Sequence, residues 1–159
     1  MSSDNFTVPI RCTQNPTMGE EWRRGWDPEY IKPKITDQRA LVVGSGPSGL
    51  ECTVQLARRG YQVILAESEN ELGGRVLFES SLRGLSAWKR VVDNRVHEIL
   101  QKSNIEVYKE SRLKAEHIDE LGINNIFLAT GSSWRKDGIG RSRRKAIPGL
   151  ETITVYSPE

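Results

Sequence analysis

The sequence predicts an α/β domain in which a parallel sheet lies between layers of helix, with an extended arm in front of it. Three observations carry that expectation. Short, largely apolar runs at Ala40–Val43, Gln62–Ala66 and Asn125–Ala129 read as strands of a parallel sheet. Stretches with apolar residues at helical spacing lie between them. A glycine-rich turn, Gly44 to Gly49, joins the first run directly to the first helical stretch.

The elements follow in order. Residues 1–38 differ from the rest: Pro9, Pro16, Pro28 and Pro33 interrupt them, and neither strand nor helix periodicity is sustained beyond a short turn at Gly19–Arg24. Trp22, Trp26 and Tyr30 are costly to expose, so this arm is expected to pack along a surface. From Arg39 the character changes, and residues 39–150 read as the domain proper. Strand Ala40–Val43 leads through the glycine turn into a helix over Leu50–Arg59, with Leu50, Val54 and Ala57 on one stripe and Gly60 as its stop. The strand Gln62–Ala66 then ends at Glu67, completing a βαβ unit.

Leu85, Trp88, Val91, Val92, Val96, Ile99 and Leu100 recur at helical spacing and predict one helix of several turns. A strand is expected at Ile105–Tyr108, a short helical segment at His117–Leu121 and a strand at Asn125–Ala129 running into Thr130-Gly131. Residues 151–159 read as the start of a connection onward, with strand propensity at Thr152–Tyr156. No internal repeat or low-complexity tract is present.

Composition narrows the functional classes. Hydrophobic residues make up 36% of the chain and mean hydropathy is -0.53, the polar end of the globular range. A net charge of +2 gives no global attraction to nucleic acid or to a membrane, so neither is expected as a partner. Arg135, Lys136, Arg141, Arg143, Arg144 and Lys145 crowd one stretch that reads as a solvated loop, with a docking patch for an acidic protein partner or a phosphate as the alternative. No apolar run approaches the ~20 residues needed to span a bilayer, and the N-terminus does not read as a secretory signal. Cys12 and Cys52 do not make a disulfide framework, which fits a reducing, cytoplasmic setting.

The glycine turn is the strongest chemical signal. In Gly44-Ser45-Gly46-Pro47-Ser48-Gly49 the first glycine permits the tight turn out of the strand, the second lets a pyrophosphate approach the backbone, and the third lets helix and strand pack closely. Amides at the helix N-terminus, with the helix dipole, favour the phosphates. Glu67, about twenty residues on, stands at the end of the second strand. A carboxylate there accepts ribose hydroxyls and repels a 2′-phosphate. A turn with a chance acid nearby would give similar letters, but the strand before and helix after make a Rossmann-like adenine-nucleotide site the expectation. Gly74 and Arg75, in Leu72-Gly73-Gly74-Arg75, and Thr130 and Gly131, in Ile126-Phe127-Leu128-Ala129-Thr130-Gly131, stand where FAD-type versions of this fold carry a turn near the pyrophosphate and a segment near the nucleotide.

Cys52 reads as a small core residue, and His97 and His117 as surface residues without a partner ligand. With no Ser-His-Asp arrangement, paired acid or Cys-x-x-Cys, no catalytic group is expected in this chain.

Taken together, Arg11 to Thr17, Gly19 to Trp26, Val43 to Gly49, Gly84 to Trp88 and Ala129 to Trp134 resemble the trimethylamine and dimethylamine dehydrogenase family. Its wider circle includes histamine dehydrogenase and 2,4-dienoyl-CoA reductase. The resemblance implies a larger protein with a (β/α)8 barrel holding FMN, a [4Fe–4S] cluster and two nucleotide-binding-type domains, with an electron-transfer flavoprotein as a partner. It further implies ADP at Gly44–Glu67 in the amine dehydrogenases and FAD there in the reductases. Gly84–Trp88 and Trp134 lean towards the amine-dehydrogenase side, hence ADP.

Cys12 matches the family's fourth cluster cysteine. One thiolate cannot hold a cluster that needs four ligands, and the other three do not occur here. The resemblance therefore implies a fragment at both ends, without barrel or third domain. A free-standing adenine-dinucleotide-binding module and a domain of an enoate-reductase-type enzyme are the competing readings.

Overall fold

The computed structural model describes residues 12, 14–20, 25, 27 and 29–156. Four strands form one sheet: β1 (Ala40–Val43), β2 (Val63–Ala66), β3 (Ile105–Tyr108) and β4 (Asn125–Leu128). Their order is β3-β2-β1-β4, and every pairing is parallel. The register aligns Val43 with Ala66 and with Leu128, so β1, β2 and β4 end at one level.

Helix α1 (Pro47–Arg58) returns the chain from β1 to β2. Pro47 suits a first helical position, where its missing N–H would have had no partner. Gly60, at φ +92°, ends the run. α1 and α3 (Arg90–Leu100) cover one face of the sheet. There Val42, Leu50, Val54, Leu65, Val92 and Ile99 are buried together. Complete burial of a Leu or Ile side chain contributes roughly 1.5–3 kcal/mol, so this cluster is the main source of stability. The opposite face is thinner: Leu41, Ile64, Ala66 and Ile123 are buried beneath Leu113 and Ile118, the latter on α4 (Ala115–Leu121). Helix on both faces of a parallel sheet is the three-layer arrangement expected from the sequence.

Charged side chains fasten the helices and the arm. Arg58 of α1 donates from Nε and Nη2 to both Glu98 oxygens on α3, at 2.7 and 2.6 Å. Buried Arg95 of α3 donates to Glu51 of α1 at 2.7 Å, to the Val91 carbonyl at 2.8 Å and to the Gln14 carbonyl of the arm at 3.2 Å. Further along, the Lys34 amide donates to Arg59 O at 2.7 Å, and the Ile35 amide to the Tyr61 hydroxyl at 3.2 Å. These contacts tie described parts of the arm to α3 and to the end of α1.

Several local expectations need correction. The helix expected from Leu85 begins instead with a 3₁₀ turn at Ser86–Lys89, and regular α-helix starts at Arg90. Three residues per turn do not keep the 3.6-residue stripe, so Leu85 and Trp88 stay exposed while Val91, Val92 and Ile99 are buried. Leu100 also faces water. A short helix, α2 (Arg75–Ser81), follows the second glycine turn where none was expected. Thr152–Tyr156 forms no strand; a 3₁₀ turn at Leu150–Thr152 stands at its start. Tyr30 is largely exposed rather than packed. Trp22 and Trp26, also expected to pack, lie outside the described residues. No described helix is long and apolar enough to cross a membrane.

Candidate functional site

The carboxyl ends of β1, β2 and β4 bring the sequence-predicted residues to one edge of the sheet, where open α/β sheets take their ligands. Gly44 leaves β1 at φ +99°, a backbone region that L side chains rarely adopt. A Cβ there would lie 2.5 Å from the Ala129 carbonyl oxygen, so the end of β4 runs hard against the turn. The Ala129 amide donates to Val43 O at 2.8 Å, fixing that approach. At Gly49 a Cβ would sit 1.9 Å from the Gly44 carbonyl oxygen, which is how closely α1 presses on the end of β1.

Gly46 differs from both. A Cβ on it would meet nothing within 4 Å. Its other neighbour is Gly74 in the second glycine turn, where φ is +57° and a Cβ would come within 3.1 Å of Gly46 Cα. The two turns thus close on each other, and the backbone of Gly46 remains open on one side. α1 starts at this opening. Its first amides, those of Ser48 and Gly49, have no acceptor within the helix and add the positive end of its dipole. Pyrophosphate chemistry fits a bare backbone with outward amides.

Glu67 lies at the end of β2 and is 7% exposed. Four donors hold its carboxylate. The Ser45 amide and hydroxyl donate to Oε2 at 2.7 and 2.5 Å. The Ser68 hydroxyl and the Glu69 amide donate to Oε1 at 3.0 and 3.1 Å. Burial pushes the carboxyl upward, but the bonds from Ser45, Glu69 and Ser68 outweigh it and hold the pKa below its ordinary 4.5. A depressed pKa means stability that is present above 4.5 and lost as pH falls through the lower, folded-state value. Glu98, lowered mainly by Arg58, titrates in the same direction, so a variant is needed to isolate Glu67. In urea unfolding, Glu67→Gln should therefore be less stable than wild type at pH 7, and the gap should narrow as pH falls below 4.5. A gap that stays constant with pH contradicts this account of the carboxylate.

Ser45, Ser68 and Gly73 were not singled out by sequence. Ser45 is fully buried, and its hydroxyl also accepts from the Gly73 amide at 3.3 Å, tying the first glycine turn, the acid and the second turn together. The only signal in the sequence is a small hydroxyl residue inside the glycine turn; its partners are 22 and 28 residues away. Arg75, at the start of α2, donates from Nη2 to the carbonyl of Ser132, joining the second turn to the segment after Thr130 and Gly131. Thr130 and Gly131 are exposed, with the Thr130 amide against the Gly44 turn.

Cys12 stands apart, on the arm. The amides of Asn15 and Gln14 aim at its sulfur and hold the thiol below its ordinary pKa, favouring thiolate. Among the described residues, no three Cys, His, Asp or Glu side chains gather as a metal site, and Cys12 alone could supply one ligand of a cluster that needs four. Cys52 packs against the core, and burial raises its thiol, as suits a structural residue.

Residues 42–108 match the family model described as an NAD(P)-binding Rossmann-like domain. With the parallel sheet and the glycine turn between β1 and α1, this makes the chain a Rossmann-type nucleotide-binding domain.

Its relatives are more specific. Dimethylamine dehydrogenase of Hyphomicrobium sp. (strain x) is 39% identical, covering 96% of this chain and 22% of its own length. The structure of histamine dehydrogenase from Rhizobium sp. 4-9 aligns with a TM-score of 0.79 at 52% identity, over 87% of this chain and 20% of that one. The structure of 6-hydroxypseudooxynicotine amine oxidase from Pseudomonas geniculata N1 aligns with a TM-score of 0.80 at 44% identity, over 89% of this chain and 21% of that one. The chain belongs to the trimethylamine and dimethylamine dehydrogenase family of flavoproteins, and it spans about a fifth of the length of these relatives.

Proposed function

We propose that this chain binds an adenine nucleotide across the ends of β1 and β2, as the ADP- or FAD-binding part of a flavin-dependent amine dehydrogenase. The observation that carries the reading is the opening at Gly46, bounded by Gly74 and lying on the same sheet edge as the Glu67 carboxylate. Gly46, Ser48 and Gly49 would hold the pyrophosphate through the backbone, and Glu67 the adenosine ribose. Arg75, Thr130 and Gly131 would flank the nucleotide where Pro47 and Gly74 leave room. The resemblance at Gly84–Trp88 and Trp134 favours ADP over FAD.

Redox chemistry in such enzymes belongs to the flavin ring, and an adenosine diphosphate moiety only binds and orients. The role we assign to this chain is therefore binding. In the full-length protein we assign oxidation of dimethylamine or trimethylamine to an FMN in a barrel, with a [4Fe–4S] cluster and an electron-transfer flavoprotein as further partners. Cys12 would serve that cluster as its fourth ligand, the other ligands coming from outside these 159 residues. The two free thiols suit a cytoplasmic setting.

The test is to identify by mass spectrometry any nucleotide that leaves the denatured chain, and to titrate ADP and FAD by calorimetry. Glu67→Ala should weaken ADP binding by roughly 1.5–3 kcal/mol, the worth of hydrogen bonds to a charged acceptor. No released nucleotide and no binding heat would overturn the reading. Unchanged affinity in the variant would remove Glu67 from it.

A further inference from the structure

The four donors on Glu67 are not equivalent. Two are backbone amides, of Ser45 and Glu69, held by the fold. The third is the Ser45 hydroxyl, fully buried and itself accepting from the Gly73 amide. The fourth, the Ser68 hydroxyl, belongs to an exposed side chain. It also has an alternative acceptor, since Ser68 Oγ lies 3.4 Å from a carboxylate oxygen of Glu69.

An ionised carboxylate offers about four acceptor positions. On Glu67 two donors approach each oxygen, so the group is saturated by its own chain. An incoming ribose hydroxyl must therefore replace one of them. Neither amide can leave without rebuilding the turn, and the Ser45 side is sealed. The Ser68 hydroxyl is on an exposed side chain and can leave, with a Glu69 carboxylate oxygen already 3.4 Å from its Oγ as an alternative acceptor.

On the nucleotide reading given above, we propose that the Ser68 hydroxyl occupies the ribose position on Glu67 Oε1 and is displaced by one ribose hydroxyl on binding. Ser68 is then a specificity-determining residue. In the empty site it keeps the carboxylate oriented, and on binding it competes with the ribose for one acceptor position. Removing the competitor leaves only solvent to be displaced.

Calorimetry on the wild-type chain, Ser68→Ala and Ser68→Thr, each with ADP, 2′-deoxy-ADP and 3′-deoxy-ADP, tests this. Ser68→Ala should bind ADP roughly three- to tenfold more tightly, the equivalent of one modest hydrogen bond. Ser68→Thr, which keeps the hydroxyl, should match wild type. The gain should vanish with whichever deoxy analogue lacks the displacing hydroxyl and persist with the other. Equal or weaker ADP binding by Ser68→Ala, or the same gain with all three nucleotides, overturns the inference while the nucleotide reading stands. A wild-type chain that binds no ADP overturns both.

Discussion

Gly46→Val should abolish nucleotide binding, a loss of at least about 3 kcal/mol or more than a hundredfold, and leave the fold within about 1 kcal/mol of wild type. The reason is the direction of the missing side chain. A Cβ at Gly46 meets no protein atom within 4 Å, and its backbone, at φ -63° and ψ 174°, is one that valine adopts without strain. The branched side chain would project into the open space beside the turn, where the pyrophosphate is proposed to lie. Calorimetry with ADP and thermal unfolding on the same preparation separate the two effects. Retained affinity removes the pyrophosphate from this turn, and loss of folding shows that the gap is not open.

Gly49→Ala should do the opposite, damaging the fold first. Its Cβ would lie 1.9 Å from the Gly44 carbonyl oxygen, 2.9 Å from the carbonyl carbon and 3.2 Å from Ala129 Cβ. Two of these three atoms are backbone, so relief requires α1 to lift away from β1. That movement would open the buried contacts of Leu50 and Val54, which are at most 2% exposed. Overpacking of this kind costs roughly 3 kcal/mol or more, at the upper end of its usual range. For a chain of this length the melting temperature should fall by roughly 10 °C. Gly140→Ala is the control, since a Cβ there meets nothing within 4 Å; it should change stability by no more than about 0.5 kcal/mol. Similar stability of the two variants would show that helix and strand are not packed as closely as described.

The features that sequence revealed are those encoded locally. Strand, glycine turn and helix are contiguous from Ala40 to Arg58, and the position of Glu67 follows from the length of one βαβ unit. What sequence did not reveal depends on distant partners or on short elements. The role of Ser45 is created by Glu67 and Gly73, which only the folded chain brings to it. Helix α2 has seven residues, with only Val76 and Ser80 buried, too few to show a helical period. The apolar run of β4 says strand but not edge; among the described residues β4 pairs only with β1, and Leu128 is 73% exposed. At Trp88 a 3₁₀ turn put the side chain out of phase with the buried stripe.

The central claim is that Gly46 and Glu67 belong to one adenine-nucleotide site. Its most direct test is the affinity of the wild-type chain for ADP against 2′-phospho-ADP at pH 7. A buried, ionised carboxylate at the ribose should reject the second phosphate, so ADP should bind with one-to-one stoichiometry and 2′-phospho-ADP at least tenfold more weakly. Equal affinities, or binding of neither, would contradict the assignment.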